Sequence, residues 1–208
     1  MILVTGGAGF IGSHLVDQLT HDNQHVRVLE HPNANVSHLP LNKIELVRAD
    51  IRDISAVNQV VRGCDQVYHL AADPNLWRRN RGEFDAINHV AAVHVMRAAL
   101  DAGAQRVLYV STESILTSAK KNIGAVENAR FQEQDMIGPY CLSKFRAERA
   151  DVVTDGGRLE EDGLRLQLGV FDALGDFDFL FAREQRDLAH LLEVHPDGVV
   201  EDVVLRGA

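Results

Sequence analysis

Met1-Ile2-Leu3-Val4-Thr5-Gly6-Gly7-Ala8-Gly9-Phe10-Ile11-Gly12 opens the chain. Met1 to Val4 is a short apolar run of the kind that forms a parallel strand covered on both faces. Apolar residues then recur at Phe10, Ile11, Leu15, Val16 and Leu19, which is helical spacing. Glycines join the two. One permits a sharp turn, one lets backbone approach a pyrophosphate, and one lets helix and strand pack closely, with phosphate resting on the amides at the helix start. Gly7-x-Gly9-x-x-Gly12 and Gly6-x-x-Gly9-x-x-Gly12 both fit. The strand before and the helix after make this a dinucleotide-binding turn rather than a merely flexible one.

A second strand, Val26 to Leu29, ends in Glu30. A carboxylate there accepts from both adenosine ribose hydroxyls and repels a 2′-phosphate, so NAD is favoured over NADP. Ile44 to Val47, Gln66 to Leu70 and Arg106 to Val110 read as strands, and Ser55 to Arg62, Glu83 to Ala102 and Tyr140 to Val153 as helices. The alternation implies an α/β fold, a Rossmann-like doubly wound parallel sheet whose ligands bind beyond the strand C-termini. Asp50 and Ile51 follow the third strand, placed for an adenine amine and its flat face. Leu70, Ala71 and Ala72 follow the fourth, small enough to let a cofactor pass. Ser111 and Thr112 follow the fifth. The plainer reading makes Asp50 a helix cap and the alanines packing.

Tyr140-Cys141-Leu142-Ser143-Lys144 carries the chemistry. Tyr and Lys at i and i+4 share a helix face. A free tyrosine is a poor base at neutral pH, and a neighbouring ammonium, with the positive charge of an oxidised nicotinamide, is expected to favour phenolate and lower its pKa. Tyr140 then moves a proton on a substrate oxygen, Thr112 orients that oxygen, and Lys144 also holds the nicotinamide ribose.

The 208 residues are 46% hydrophobic with a net charge of −9, enough for one substantial core. That charge argues against nucleic acid, and no run reaches transmembrane length. Two cysteines and an opening directly on a strand lead to an expectation of a cytoplasmic protein without disulfides. No metal site is expected, because His21 and His25 have no third ligand nearby. Trp77 with Arg78, Arg79 and Arg81 reads either as a substrate phosphate pocket or as a solvated basic loop.

The charge is unevenly placed. Residues 1–150 hold 16 acidic and 16 basic side chains, whereas 151–208 hold 14 and 5. The expected division is an NAD-binding domain with the Tyr-Lys helix at 1–150 and an atypical acidic segment at 151–208. In that segment Gly163 to Phe171 could form a strand, Ala182 to Leu192 a helix and Val199 to Leu205 a strand. It either completes the sheet or is a frameshifted or unrelated extension.

TGGAGFIG, Glu30, Asp50-Ile51, HLAA at His69 to Ala72, Asn88, VSTES at Val110 to Ser114 and YCLSK together resemble the extended short-chain dehydrogenase/reductase superfamily, the NAD-dependent epimerase/dehydratase family. AADPNLW, RAALDAGAQRVLYVS and MIGPYCLSKFRAE are similar to its branch of hopanoid-associated sugar epimerases and dihydroflavonol reductase-like enzymes. The resemblance implies Thr112, Tyr140 and Lys144 as the catalytic set. It implies Gly6, Gly9, Gly12, Glu30, Asp50 and Ile51 as cofactor contacts and Asn88 as an architectural polar residue; Phe10, Ile11, Leu70, Ala71, Ala72, Asn88, Tyr140 and Lys144 complete the expected cofactor side. Dehydratases of the superfamily show Thr-Asp-Glu where this chain has Thr112-Glu113-Ser114, which disfavours elimination. The family's substrate lobe reads as truncated or replaced. Three functions follow: an NAD-dependent enzyme acting on a secondary alcohol or ketone of a sugar nucleotide, an NAD(P)-dependent ketone reductase, or a catalytically silent NAD-binding module. A homodimer through the two long helices is implied by resemblance alone.

Overall fold

The computed structural model describes residues 1–116 and 131–150, together with the backbone of three strands at 153–154, 157–158 and 165–169. The expected helix at 182–192 and strand at 199–205 lie outside the described residues. The elements run β1 (Ile2–Thr5), α1 (Phe10–His21), β2 (Val26–Glu30), β3 (Ile44–Arg48), α2 (Ile54–Val60), β4 (Gln66–His69), α3 (Gly82–Asp85), α4 (Ala92–Asp101), β5 (Arg106–Val110), α5 (Gly138–Glu148), β6 (Val153–Thr154), β7 (Gly157–Arg158) and β8 (Arg165–Gly169).

One sheet has the order β3-β2-β1-β4-β5-β8, every neighbouring pair parallel. The chain winds outward from β1 in both directions, which makes the fold Rossmann-like. The crevice between the C-terminal ends of β1 and β4, where the strand order reverses, is therefore the place for a ligand. β8 lies within the expected strand 163–171, so the acidic segment supplies the sixth strand of the sheet.

Alternation along the strands builds two cores. Leu3, Leu29, Val67, Val107 and Tyr109 face one side and pack on Val57, Val95 and Met96. Ile2, Val4, Val26 and Val28 face the other and pack on Val16 and Leu19 of α1. Leu3, Val4, Val28 and Leu29 have no exposed surface, and each contributes roughly 1.5–3 kcal/mol of burial.

Helix ends differ from the sequence expectation where local chemistry decides. α2 begins at Ile54 because the Asp53 carboxylate accepts from the Ala56 amide at 3.1 Å, so Asp53, not Asp50, is the cap. α5 starts two residues before Tyr140, with Pro in its first turn, and stops at Glu148 rather than running to 153. The expected helix at 83–102 forms as α3 and α4 joined by a π turn at Ala86–Ala91 that holds Asn88 inward, 1% exposed. His25 lies beyond the end of α1, so it does not share a helix with His21. Among the described residues no three His, Cys, Asp or Glu side chains are grouped for a metal ion, and no helix is long and apolar enough to cross a membrane.

Candidate active site

The glycine turn leaves β1 directly over β4. Gly6 has φ +71°, and a Cβ on it would stand 2.7 Å from the Ala71 amide nitrogen, so only glycine permits this turn beside β4. At Gly12 a Cβ would lie 2.2 Å from the Gly6 carbonyl oxygen, so its absence lets α1 close onto the turn. Gly9 caps α1, and a Cβ there would meet nothing within 4 Å except Gly6 O at 3.2 Å. That open space in front of the helix amides fits a pyrophosphate. Gly7 has a packing task the sequence did not disclose, since a Cβ on it would collide with Val28 Cγ1 at 2.6 Å. Phe10 and Ile11 supply the first turn of α1, the Phe10 side chain 65% exposed.

Glu30 faces this turn from the end of β2. Its Oε2 accepts from the Ala8 amide at 2.7 Å and its Oε1 from the His31 amide at 3.0 Å, which fixes the carboxylate beside the phosphate-sized space. Arg48, the nearby guanidinium on β3, is held by the carbonyls of Pro32 and Ala34 at 2.8 and 3.0 Å. Asp50 receives both the amide and the Nε of Arg52 at 2.9 Å, and His31 Nε2 lies 3.8 Å away. The Arg52 hydrogen bond holds the Asp50 carboxyl below its ordinary range. An adenine amine at Asp50 would share the carboxylate with Arg52. Ile51 is half-buried beside it.

Beyond β4, Leu70 N donates to Thr5 O at 3.1 Å and Ala71 N to Thr5 Oγ1 at 3.2 Å. Thr5 Oγ1 also meets His69 Nδ1 at 2.6 Å. Burial, with the charge of Lys144, pushes His69 down to about 3, so it is a neutral core residue. Asn88 joins this segment to α5. Its Oδ1 accepts from Asp73 N at 2.7 Å, and its Nδ2 donates to Asp73 O at 3.0 Å and to Ser143 Oγ at 3.2 Å. The amide is committed within the protein, which fits its architectural part and leaves little for a direct cofactor contact. Ser143 Oγ in turn donates to Tyr140 O at 2.7 Å.

The structure brings Thr112, Tyr140 and Lys144 together at the end of β5. Thr112 is 7% exposed, and its hydroxyl is near enough to Tyr140 to favour the phenolate. Thr112 Oγ1 also lies 2.7 Å from Ser114 Oγ and 3.1 Å from Glu113 Oε2. Lys144 is 3% exposed; its Nζ donates to Val110 O at 2.6 Å and stands 4.1 Å over the Tyr109 ring. Lys144 by itself does not depress the Tyr140 pKa in this arrangement. Burial raises the phenol, and the nearby Thr112 hydroxyl opposes this. The reason lies with Lys144, which is turned onto the β5 backbone and is itself pushed down by burial to about 7.

One neighbour of this group was not picked out from the sequence. Glu148, one turn beyond Lys144, accepts a hydrogen bond from Ser111 Oγ. Burial lifts its carboxyl above the usual range, against the Ser111 hydrogen bond and the charges of Arg149 and Lys144. The spacing Tyr140, Lys144, Glu148 on one helix face was the available signal.

A profile of the NAD dependent epimerase/dehydratase family matches residues 2–152. A Synechocystis sp. protein assigned provisionally as a dihydroflavonol 4-reductase is 30% identical over 70% of this chain and 42% of its own. The 2-alkyl-3-oxoalkanoate reductase of Stenotrophomonas maltophilia is 30% identical over 80% of this chain and 50% of its own. Among solved structures, DesIV, a dTDP-glucose 4,6-dehydratase from Streptomyces venezuelae with NAD and TYD bound, superposes with a TM-score of 0.58 at 30% identity, over 71% of this chain and 49% of that one. This chain spans about half the length of the relatives it matches. With a matching profile over its first 152 residues and the glycine turn, Glu30 and the Thr112-Tyr140-Lys144 group in place, the chain belongs to the NAD-dependent epimerase/dehydratase family.

Proposed function

We propose that this chain forms the NAD-binding and proton-handling part of an enzyme that acts on a secondary alcohol or ketone in a sugar nucleotide. The observation that carries the reading is the convergence of Thr112 and Tyr140, beside the buried Lys144 whose Nζ donates to Val110 O, at the rim where the strand order opens a crevice. The relatives support the substrate class: MoeE5, solved with UDP-glucose and NAD, superposes with a TM-score of 0.59 at 29% identity over 71% of this chain and 46% of that one.

The glycine turn and the first amides of α1 would hold the pyrophosphate of NAD, and Glu30 the ribose hydroxyls. Asp50 and Ile51 would meet the adenine, and Ala71 and Ala72 leave room beside β4. The nicotinamide would supply hydride exchange with the substrate carbon. Tyr140 moves the proton on the substrate oxygen that Thr112 holds. Lys144 contacts the nicotinamide ribose, and its buried charge is expected to help stabilise phenolate once it turns from Val110 O. Ser114 stands where the dehydratases carry a second carboxylate, so oxidation, reduction or epimerisation fits better than elimination. The test is NADH formation, or interconversion of epimers, by the full chain with NAD and a panel of sugar nucleotides including UDP-glucose and dTDP-glucose. Tyr140→Phe is expected to lose turnover by about 100-fold or more; unchanged turnover in this variant would defeat the assignment. Retention of NAD through purification separates an epimerase, which recycles it, from a reductase, which releases it.

A further inference from the structure

Between β4 and α3 the chain carries its single tryptophan. The base of this loop is firmly held. The buried Asp73 carboxylate takes Arg78 Nε and the side-chain amide of Asn75, while Asn88 clamps the Asp73 backbone. Arg78 also reaches Glu83 at 3.3 Å, so its charge is matched from two sides. Above the base is an open cleft of about 710 Å³ lined by Asn75, Trp77, Arg78, Arg79, Asn80 and Glu83, a size common for small-molecule sites. Trp77 is 73% exposed, and Arg79 has no hydrogen-bond or ion-pair partner among the described residues. A loop anchored at its base therefore presents an uncovered aromatic face and an unmatched guanidinium. An aromatic face stacks a base, and a guanidinium pairs bidentately with phosphate.

We propose that this cleft is the docking subsite for the nucleotide half of the substrate, with Trp77 stacked on the base and Arg79 on a phosphate. The proposal rests on the sugar-nucleotide reading above and adds where the nucleotide sits. The cleft is tied to the catalytic helix by the run Asp73–Asn88–Ser143–Tyr140 O, so occupancy of the loop bears on the position of Tyr140 through direct hydrogen bonds.

Because Trp77 is the only tryptophan, its fluorescence reports on this cleft alone. The full chain, saturated with NAD, is titrated with UDP, UDP-glucose, inorganic pyrophosphate and glucose, by fluorescence and calorimetry in parallel. UDP and UDP-glucose are expected to quench Trp77 saturably at the midpoint read by calorimetry, with pyrophosphate weaker and glucose silent. Arg79→Ala is expected to weaken UDP binding about tenfold or more without changing NAD affinity, and Arg79→Lys to restore part of it. Calorimetric binding of UDP-glucose with no change at Trp77 and no effect of Arg79→Ala overturns the subsite and leaves the sugar-nucleotide reading standing. Pyrophosphate binding as tightly as UDP overturns the stacking of a base on Trp77. Absence of UDP and UDP-glucose binding in both measurements overturns the subsite and the substrate reading together.

Discussion

Replacing Lys144 by Met is expected to stabilise the folded chain at neutral and lower pH while removing its proposed chemistry. Lys144 is almost completely buried, and its ammonium has one carbonyl acceptor and one aromatic ring for company. Burial lowers its pKa from 10.5 to about 7. Below about pH 7 the lysine is protonated in both folded and unfolded chains, and the folded state bears the full cost of a dry charge. Between about 7 and 10.5 the folded chain releases the proton while the unfolded chain keeps it, so stability rises with pH across this window. Above it both forms are neutral and the cost is gone. At about 1.4 kcal/mol per unit the ceiling is roughly 5 kcal/mol, and local relaxation around the charge reduces this to about 2–4 kcal/mol. Met has nearly the same volume and no charge. Denaturant unfolding of both proteins at about pH 6, 7, 8 and 9 should therefore show the variant more stable at pH 6 by that amount, with the gap closing as pH rises. Burial also raises the thiols of Cys64 and Cys141 and the phenols of Tyr68 and Tyr109, which adds its own pH dependence to both proteins, so the difference between them is the quantity to read. A variant that is less stable at about pH 6, or a gap that does not change with pH, would refute the reasoning.

Gly12→Ala sets a methyl against the Gly6 carbonyl oxygen at 2.2 Å and Gly7 Cα at 2.8 Å, so α1 must shift. Stability should fall by about 2–4 kcal/mol in denaturant unfolding, and calorimetric NAD binding should disappear. Asn88→Ala removes three buried hydrogen bonds and strands the Asp73 backbone groups. A loss of about 2–4 kcal/mol is expected, with faster amide hydrogen exchange concentrated at residues 73–81. Glu30→Ala removes the carboxylate at the turn, and calorimetry should show NAD affinity lowered about tenfold and the preference over NADP lost or reversed; an unchanged ratio would remove Glu30 from the ribose.

The sheet was readable because its strands state their own boundaries. Val26 to Leu29 and Arg106 to Val110 are β-branched and apolar between turn residues, and the observed strands match within a residue. The glycine turn was readable because each glycine answers a backbone demand. What the sequence hid depends on three-dimensional company. The direction of the Tyr140 pKa turned on where Lys144 places its ammonium, and the carbonyl that receives it comes from β5, 34 residues away in sequence. Asp50 looked free until Arg52 was seen folded onto it. Glu148 lay in plain view on the Tyr140 face, yet only the approach of Ser111 gives it a partner.

The parallel course of β8 fixes where the last described strand of the sheet ends. Gly169 pairs with Val110, so the strand ends level with the last residue before Ser111 and Thr112. A segment joined after Gly169 therefore departs from the rim that carries the proposed catalytic group, not from the far side of the sheet. For protein engineering this is a point of delivery: a binding module fused there would begin its path over the cleft, and its linker would need to span only the mouth of the site rather than circle the domain.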